Sequence, residues 1–402
     1  MNYAKDFSRV TQSMGSSMIR ELVASTKNIE GLISFAGGFP APATFPKDTL
    51  AELYKKVVQE DGYDVLQYGA SEGDRQLKAE LIKWEGYPIT PEEMLITVGA
   101  TNAIYLYSRA LLDPGDVVIC EAPTFLGSLV VFDSIQAELV SVPINDDGIS
   151  IQHLEAAVQR CKQAGKRVKF IYTIPDFHNP GGVTMSMARR RELIAFAIRN
   201  EIGILEDNPY SRLRFSGEPL PTLYQVNRDE FAGFEVVTEV VSFSKILGPG
   251  MRMSFAKGAK SLIAKMESWQ QKVNVTPDCV SQRVVARFLA DGHMEGHLKM
   301  VNEHYAPYLK TMLDKLEEYM PEGVKWTKPQ GGIFVWLELP KHISADDIFP
   351  KAAENKVSFI PGSKFYPVGQ EEFNTLRLNF TFSSFEQIDT GIRRLAELLK
   401  AL

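Results

Sequence analysis

The chain has 402 residues, room for two to three domains at ~150 residues each and for a large core. Hydrophobic residues make up 45% and charged residues 23%, which excludes disorder, collagen-like repeats and coiled-coil arrays as the main architecture. Lys and Arg total 44 against 50 Asp and Glu, a net charge of −6, and this acidic balance argues against nucleic acid or anionic lipid as the main partner.

Cys120, Cys161 and Cys279 are far apart; they fit a reduced compartment and neither a disulfide framework nor a zinc module. The longest uncharged run, 31–46, is broken by Pro40, Pro42 and Pro46, so no membrane span is expected. The opening MNYAKDFSRV carries Asp6 and no apolar core, unlike a secretory signal. A cytoplasmic location is expected.

Taken in chain order, the first 50 residues include a Gly/Pro-rich extended stretch, GGFPAPATFP, too irregular for a domain of its own and assigned to the C-terminal unit or the mouth of a site. From MLITV (94–98) onward, short β-branched runs alternate with helical patterns: DVVIC (116–120), AELVSV (137–142), SIQHLEAAVQRCKQ, VKFIYTI (168–174), MARRRELIAFAIRN, IGILED (202–207), VVTEVVSF (236–243) and MRMSFAKG (251–258). This predicts an α/β fold: a three-layer αβα large domain with a mainly parallel sheet, over 51–290. Long polar-faced helices, the strands GGIFVWLEL and TLRLNFT, and an amphipathic closing helix capped by Ser384 predict a smaller α+β domain over 291–402. Ligands of such sheets sit at the C-terminal strand ends.

Several generic motifs compete. Gly69-Ala70-Ser71-Glu72-Gly73 matches a nucleophile elbow, yet no strong strand leads into it, and a relaxed turn before a helix explains it equally. His293, His297 and His304 share a helical face, but Met294 stands where H-E-x-x-H needs Glu; exposed helix histidines are the plainer reading, and no metal is expected. No Walker A or strand-linked G-x-G-x-x-G appears.

Four strand ends carry the stronger set. SFSKILGPGMR offers Ser242, Ser244, Lys245 and Arg252; EDNPY offers Asp207 and Tyr210; HNPGG offers Asn179; VGATN opens a helix at Ala100 and Thr101. Each alone reads as turn chemistry. Together they supply an amine, an acid, a hydrogen-bonding pair and a phosphate cradle, the parts a pyridoxal 5′-phosphate (PLP) site requires.

With SMIRELV (17–23), SFAGGFPAPATFP (34–46), YGASEGDRQLK (68–78), EAPTFLG (121–127), HNPGG, EDNPYSRLRF (206–215), SFSKILGPGMR, GGIFVW and LRLNF (376–380) in this order, the chain resembles fold-type I PLP-dependent aminotransferases over nearly its whole length. Within them it resembles the subgroup with 2-aminoadipate, kynurenine and other broad-specificity transaminases. The resemblance implies PLP as cofactor, Lys245 as its Schiff-base lysine, Asp207 facing the pyridine nitrogen, and Asn179 and Tyr210 on the phenolic oxygen. It implies Phe125 stacked on the ring; Ser242, Ser244, Arg252 and the backbone of Ala100 and Thr101 on the phosphate; and Tyr68 reaching the phosphate of a neighbouring subunit in a homodimer.

For the substrate it implies Arg377 gripping the α-carboxylate with Asn179 and Tyr68 beside it, Gly38 leaving room, and Arg20 meeting an acidic side chain. The implied reaction is ping-pong transamination of an L-amino acid with 2-oxoglutarate as acceptor. β-Elimination or decarboxylation on the same fold is the alternative, and a serine hydrolase or a non-catalytic module is remote. Ala100-Thr101-Asn102 replaces the family's frequent Ser-Gln-Gln, and His178 and Gly181-Gly182 also depart from the usual pattern.

Overall fold

The computed structural model describes residues 3–13 and 29–402; Arg20 lies outside the described residues. Strand β1 (Ile33–Ser34) and helices α1 (Lys47–Glu60) and α2 (Arg75–Glu85) precede the large sheet. That sheet contains β2 (Met94–Thr97), β3 (Val117–Ala122), β4 (Glu138–Asn145), β5 (Gly148–Ile149), β6 (Val168–Thr173), β7 (Gly203–Asn208), β8 (Val237–Ser242) and β9 (Ser254–Lys257). Their order is β2-β9-β8-β7-β6-β3-β4-β5.

The pairs β3–β4, β3–β6, β6–β7 and β7–β8 are parallel. Helices α3 (Ala100–Leu111), α4 (Leu126–Ser134), α5 (Ile151–Gln163), α6 (Met187–Asn200), α7 (Leu223–Glu230) and α8 (Lys260–Val273) punctuate the strands. β8 is buried at every position, as expected of strands covered on both faces. The fold class is therefore α/β with a mainly parallel sheet. The stretch 251–258, read as one more strand of the series, instead runs antiparallel to β2 and β8. Its link to β8 is short, and a parallel return takes a crossover of a dozen or more residues.

Helices α9 (Cys279–Ala290) and α10 (His293–Tyr319) lead to a second, antiparallel sheet, β10-β11-β14-β13. It comprises β10 (Lys325–Trp326), β11 (Phe334–Glu338), β13 (Ile360–Pro361) and β14 (Thr375–Asn379). Helices α11 (Ala345–Glu354) and α12 (Phe385–Lys400) complete this unit. Ser384 caps α12 reciprocally with Gln387, satisfying donors that a helix start leaves open.

The N-terminal stretch joins this unit. β1 pairs in parallel with β12 (Val357–Ser358), the Phe35 N–H donates to the Ser358 carbonyl at 2.8 Å, and the Asn379 N–H donates to the Phe35 carbonyl at 2.9 Å. These bonds place Ala36, Gly37 and Gly38 beside β14 and opposite the large sheet.

Candidate active site

Strand alternation aims Asp207 and Asn208 to opposite faces of the large sheet. Asp207 is buried, and its Oδ2 accepts from the Tyr172 hydroxyl at 2.7 Å. Its Oδ1 is buried without a partner among the described residues. Burial pushes its carboxyl up to about 6, against the hydrogen bond from Tyr172. Asn208 instead donates to Glu239 Oε1 at 2.7 Å. Below the floor a polar row crosses the sheet: Glu121 accepts from Thr173 at 2.7 Å, and Thr173, Glu206, Glu239 and Lys257 are successive register partners on β6 to β9.

Lys245 follows β8, and its Nζ donates to the Gly38 carbonyl at 2.7 Å. Burial first, then the Arg377 and Arg252 cations, lower its amine to about 8. Arg377, on β14, donates through Nη1 to Asn179 Oδ1 at 2.9 Å and through Nη2 to the Ala36 carbonyl at 3.0 Å. Its guanidinium lies over the Phe334 ring at 4.0 Å and the Phe365 ring at 4.8 Å, and its Nε is buried without a hydrogen-bond partner among the described residues. Burial lowers it to about 10. Tyr210 is buried beside Asn179, between Arg377 and Asp207, and burial raises its phenol.

The candidate phosphate residues gather where β2, β9 and β8 meet: Ser254 is the register partner of Thr97 on one side and of Ser242 on the other. Ser242 Oγ accepts from the Ser244 N–H at 3.2 Å. Gly99 precedes α3 with φ +81°, a conformation glycine takes readily. A Cβ there would stand 2.3 Å from Arg252 Nη2, so the missing side chain lets the guanidinium close on the start of α3. Ala100 and Thr101 form the first turn, where free N–H groups favour an anion. Asn102 is turned away: its Oδ1 accepts from the Val98 N–H at 3.2 Å and its Nδ2 donates to Asn274 at 3.2 Å.

Phe125 is half-buried at the N-cap of α4, its ring folded over Gly127. Tyr68 stands apart, 80% exposed, and no hydrogen bond among the described residues joins it to this group. The competing motifs resolve differently. Ser71 donates to the Val275 carbonyl at 2.6 Å and no strand leads into its turn. His297 is buried at the Ile246 carbonyl rather than exposed, and among the described residues no cluster fit for a metal ion occurs.

One participant escaped the sequence reading: Tyr172 touches Asp207 from β6, a relation hidden until strand register is known. His178, which the sequence marks as a departure from the usual pattern, is fully buried, with Nδ1 accepting from the Gly181 N–H at 3.1 Å and Nε2 at 3.2 Å from Glu121.

A buried amine, a carboxylate oxygen lacking a donor, a paired amide and phenol, and a Gly-relieved anion cradle fit a phosphorylated pyridine aldehyde held at the strand ends. Fold and donor set define a PLP-dependent enzyme of the fold-type I class. The chain belongs to the aminotransferase class I and II family, whose model matches residues 37–395, and it is a PLP-dependent aminotransferase that moves an amino group between an amino acid and a 2-oxo acid.

The chain is 38% identical to aromatic-amino-acid aminotransferase 1 of Thermococcus litoralis over 100% of its own length and 95% of the relative's. It is similar to the kynurenine aminotransferase of Pyrococcus horikoshii, solved with PMP, kynurenine as substrate and KYA as product: TM-score 0.94, 37% identity, 100% and 98% of the two chains covered. LysN, the alpha-aminoadipate aminotransferase of Thermus thermophilus complexed with N-(5′-phosphopyridoxyl)-L-leucine, gives TM-score 0.91 at 34% identity over 100% and 99%. Among the described residues, no helix is long and apolar enough to cross a membrane.

Proposed function

We propose that the protein is a homodimeric, cytoplasmic, broad-specificity aminotransferase that takes 2-aminoadipate, aromatic, branched-chain or glutamate-like L-amino acids and uses 2-oxoglutarate as acceptor. The relatives named for aromatic amino acids, kynurenine and aminoadipate support this range. The observation that carries it is the pairing of Lys245, at the Gly38 carbonyl, with Arg377, held by Asn179 and the Ala36 carbonyl. On the same proposal the chain divides into an N-terminal segment over 1–50 that packs with the small domain or the active-site mouth, a large cofactor-binding domain over 51–290 and a small domain over 291–402.

When bound, the coenzyme supplies an aldehyde for amine capture and a ring that withdraws electrons from the substrate Cα. Lys245 is the residue that would hold that aldehyde, and its lowered amine pKa leaves the side chain a useful neutral fraction near pH 8. As a neutral amine, Nζ would take the substrate Cα proton and later return it. Asp207 Oδ1, which has no hydrogen-bond partner among the described residues, would accept from the ring nitrogen and hold its proton there. Asn179 and Tyr210 would bond the phenolic oxygen, and Phe125 would offer its face to the ring.

Ser242, Ser244, Arg252 and the N–H groups of Ala100 and Thr101 receive the phosphate. Arg377 presents a planar fork to the α-carboxylate, with Asn179, Gly38 and Tyr68 around the substrate and Arg20 meeting an acidic side chain. Exposed Tyr63, Leu66 and Tyr68, with Val273 and Val275, support a second copy covering that face.

A half-reaction screen tests the proposal. The holoenzyme is mixed with single amino acids and its visible absorbance followed, with Lys245→Ala as control. Conversion is expected with 2-aminoadipate, glutamate and aromatic amino acids, and borohydride should fix the coenzyme to Lys245 and nowhere in the variant. Fixation of the coenzyme in Lys245→Ala at the wild-type level rules out the assignment of Lys245. Conversion by none of these amino acids rules out the substrate range.

A further inference from the structure

A buried carboxylate is ionised only as far as its surroundings allow, and Asp207 has a single hydrogen-bond donor among the described residues. That donor is the phenol of Tyr172, itself fully buried. Tyr172 is the register partner of Leu205 on β7, so Asp207, two residues on, is its diagonal neighbour on the same face, within reach of a long side chain. The Tyr172 ring is fixed edge-on by Phe132, centroids 5.5 Å apart at 74°. Ser128 lies against its hydroxyl and donates to the Phe125 carbonyl at 2.6 Å. Tyr172 thus stands between the helix that carries Phe125 and the acid of β7.

We propose that Tyr172 is a positioning residue for the coenzyme: its hydroxyl clamps Asp207 Oδ2 so that Oδ1 alone faces the ring nitrogen, and it favours the charged carboxylate. A phenol present only to fill space would need no acid, and Phe132 and Phe170 fill neighbouring space without one. The other titratable groups near the pair are few. Tyr210 faces Asp207 from the loop after β7, and Glu121 acts on Tyr172 from β3. Lys245 after β8 and Arg377 on β14 line the cleft, while Glu206 and Glu239 belong to the row on the opposite face. Among them, only Tyr172 supplies a hydrogen bond to the carboxylate.

The inference rests on the reading that Asp207 meets the ring nitrogen, and the test separates the two. PLP affinity of the apoenzyme is measured by equilibrium dialysis from pH 5 to 9 for the wild type, Tyr172→Phe, Asp207→Asn and the double variant. The phosphate and Lys245 titrate in all four proteins, so differences between them report on Asp207. Wild-type affinity should fall on the acid side as Asp207 takes up a proton. In Tyr172→Phe that midpoint should move up by about one pH unit, with affinity lowered about tenfold at pH 5 and about twofold at pH 7. In the Asp207→Asn background the same substitution should change affinity by less than about twofold, because nothing remains for the phenol to hold. An unmoved midpoint in Tyr172→Phe, or an equal loss in both backgrounds, overturns the inference while leaving Asp207 in place. Wild-type affinity and pH profile in Asp207→Asn would instead remove the reading beneath it.

Discussion

On the proposed function, Asp207 stores a conflict that the coenzyme would resolve. Its carboxyl is raised from 3.8 to about 6 by burial, so its protonated form is favoured in the empty fold. A group raised in this way contributes stability that is fully present below pH ~4 and lost as pH climbs through about 6. Above that, the charge costs roughly 3 kcal/mol at ~1.4 kcal/mol per unit, offset when a ring nitrogen proton arrives. The apo form of Asp207→Asn should therefore withstand more urea than the apo wild type at pH 8, by up to ~3 kcal/mol, and lose that advantage near pH 4. Equal midpoints at pH 8 would contradict it. Lys245 has the complementary shift, downward to about 8, so acid and amine both sit closer to neutrality than free side chains would.

The same residues show what a sequence discloses and what it withholds. Lys245, Asp207, Asn179 and Arg252 were legible because strand ends and turn residues mark where a doubly wound sheet exposes chemistry. Tyr172 was not, because VKFIYTI looks like any buried strand until its register against β7 is fixed. Arg377 came only through resemblance: a lone Arg in TLRLNFT says nothing of the Phe334 ring beneath it. In sequence Ala100-Thr101-Asn102 stands only as a replacement of the frequent Ser-Gln-Gln, whereas in the fold Asn102 closes the turn before α3 and links to Asn274.

At the level of elements, helix starts carry local signals strong enough to read directly. Ser384 with Gln387 three residues on is a reciprocal cap, and Thr222 with Gln225 repeats it on α7. Ser384→Ala should cost about 1 kcal/mol, seen as a lower denaturant midpoint with unchanged slope and unchanged PLP affinity. A variant as stable as the wild type would show that α12 is held by its apolar face alone. Strand direction is harder to read: β9 turns antiparallel because its link to β8 is short, while its other partner, β2, lies more than 150 residues earlier. Nothing local in MRMSFAKG encodes that distant pairing. His297 makes the same point for helices, since its buried contact depends on Ile246 from another part of the chain.

For the whole molecule, the exposed Tyr68 and the apolar side chains around it frame the dimer proposal. If Tyr68 serves the neighbouring site, Lys245→Ala and Tyr68→Ala chains mixed, unfolded and refolded together should regain activity that neither has alone. Random pairing leaves about one site in four with both residues intact. No recovery in verified mixed dimers would place Tyr68 outside the partner's site.

The bonds from Phe35 to Ser358 and Asn379 carry a consequence for biogenesis. The rim that offers its carbonyls to Lys245 and Arg377 leaves the ribosome early, yet its seat is translated more than 300 residues later. Until residues 358–379 are made, the emerging polypeptide owns a nearly finished large sheet but no seat for this rim, so the carbonyls that meet Lys245 and Arg377 gain their support only after that stretch is translated.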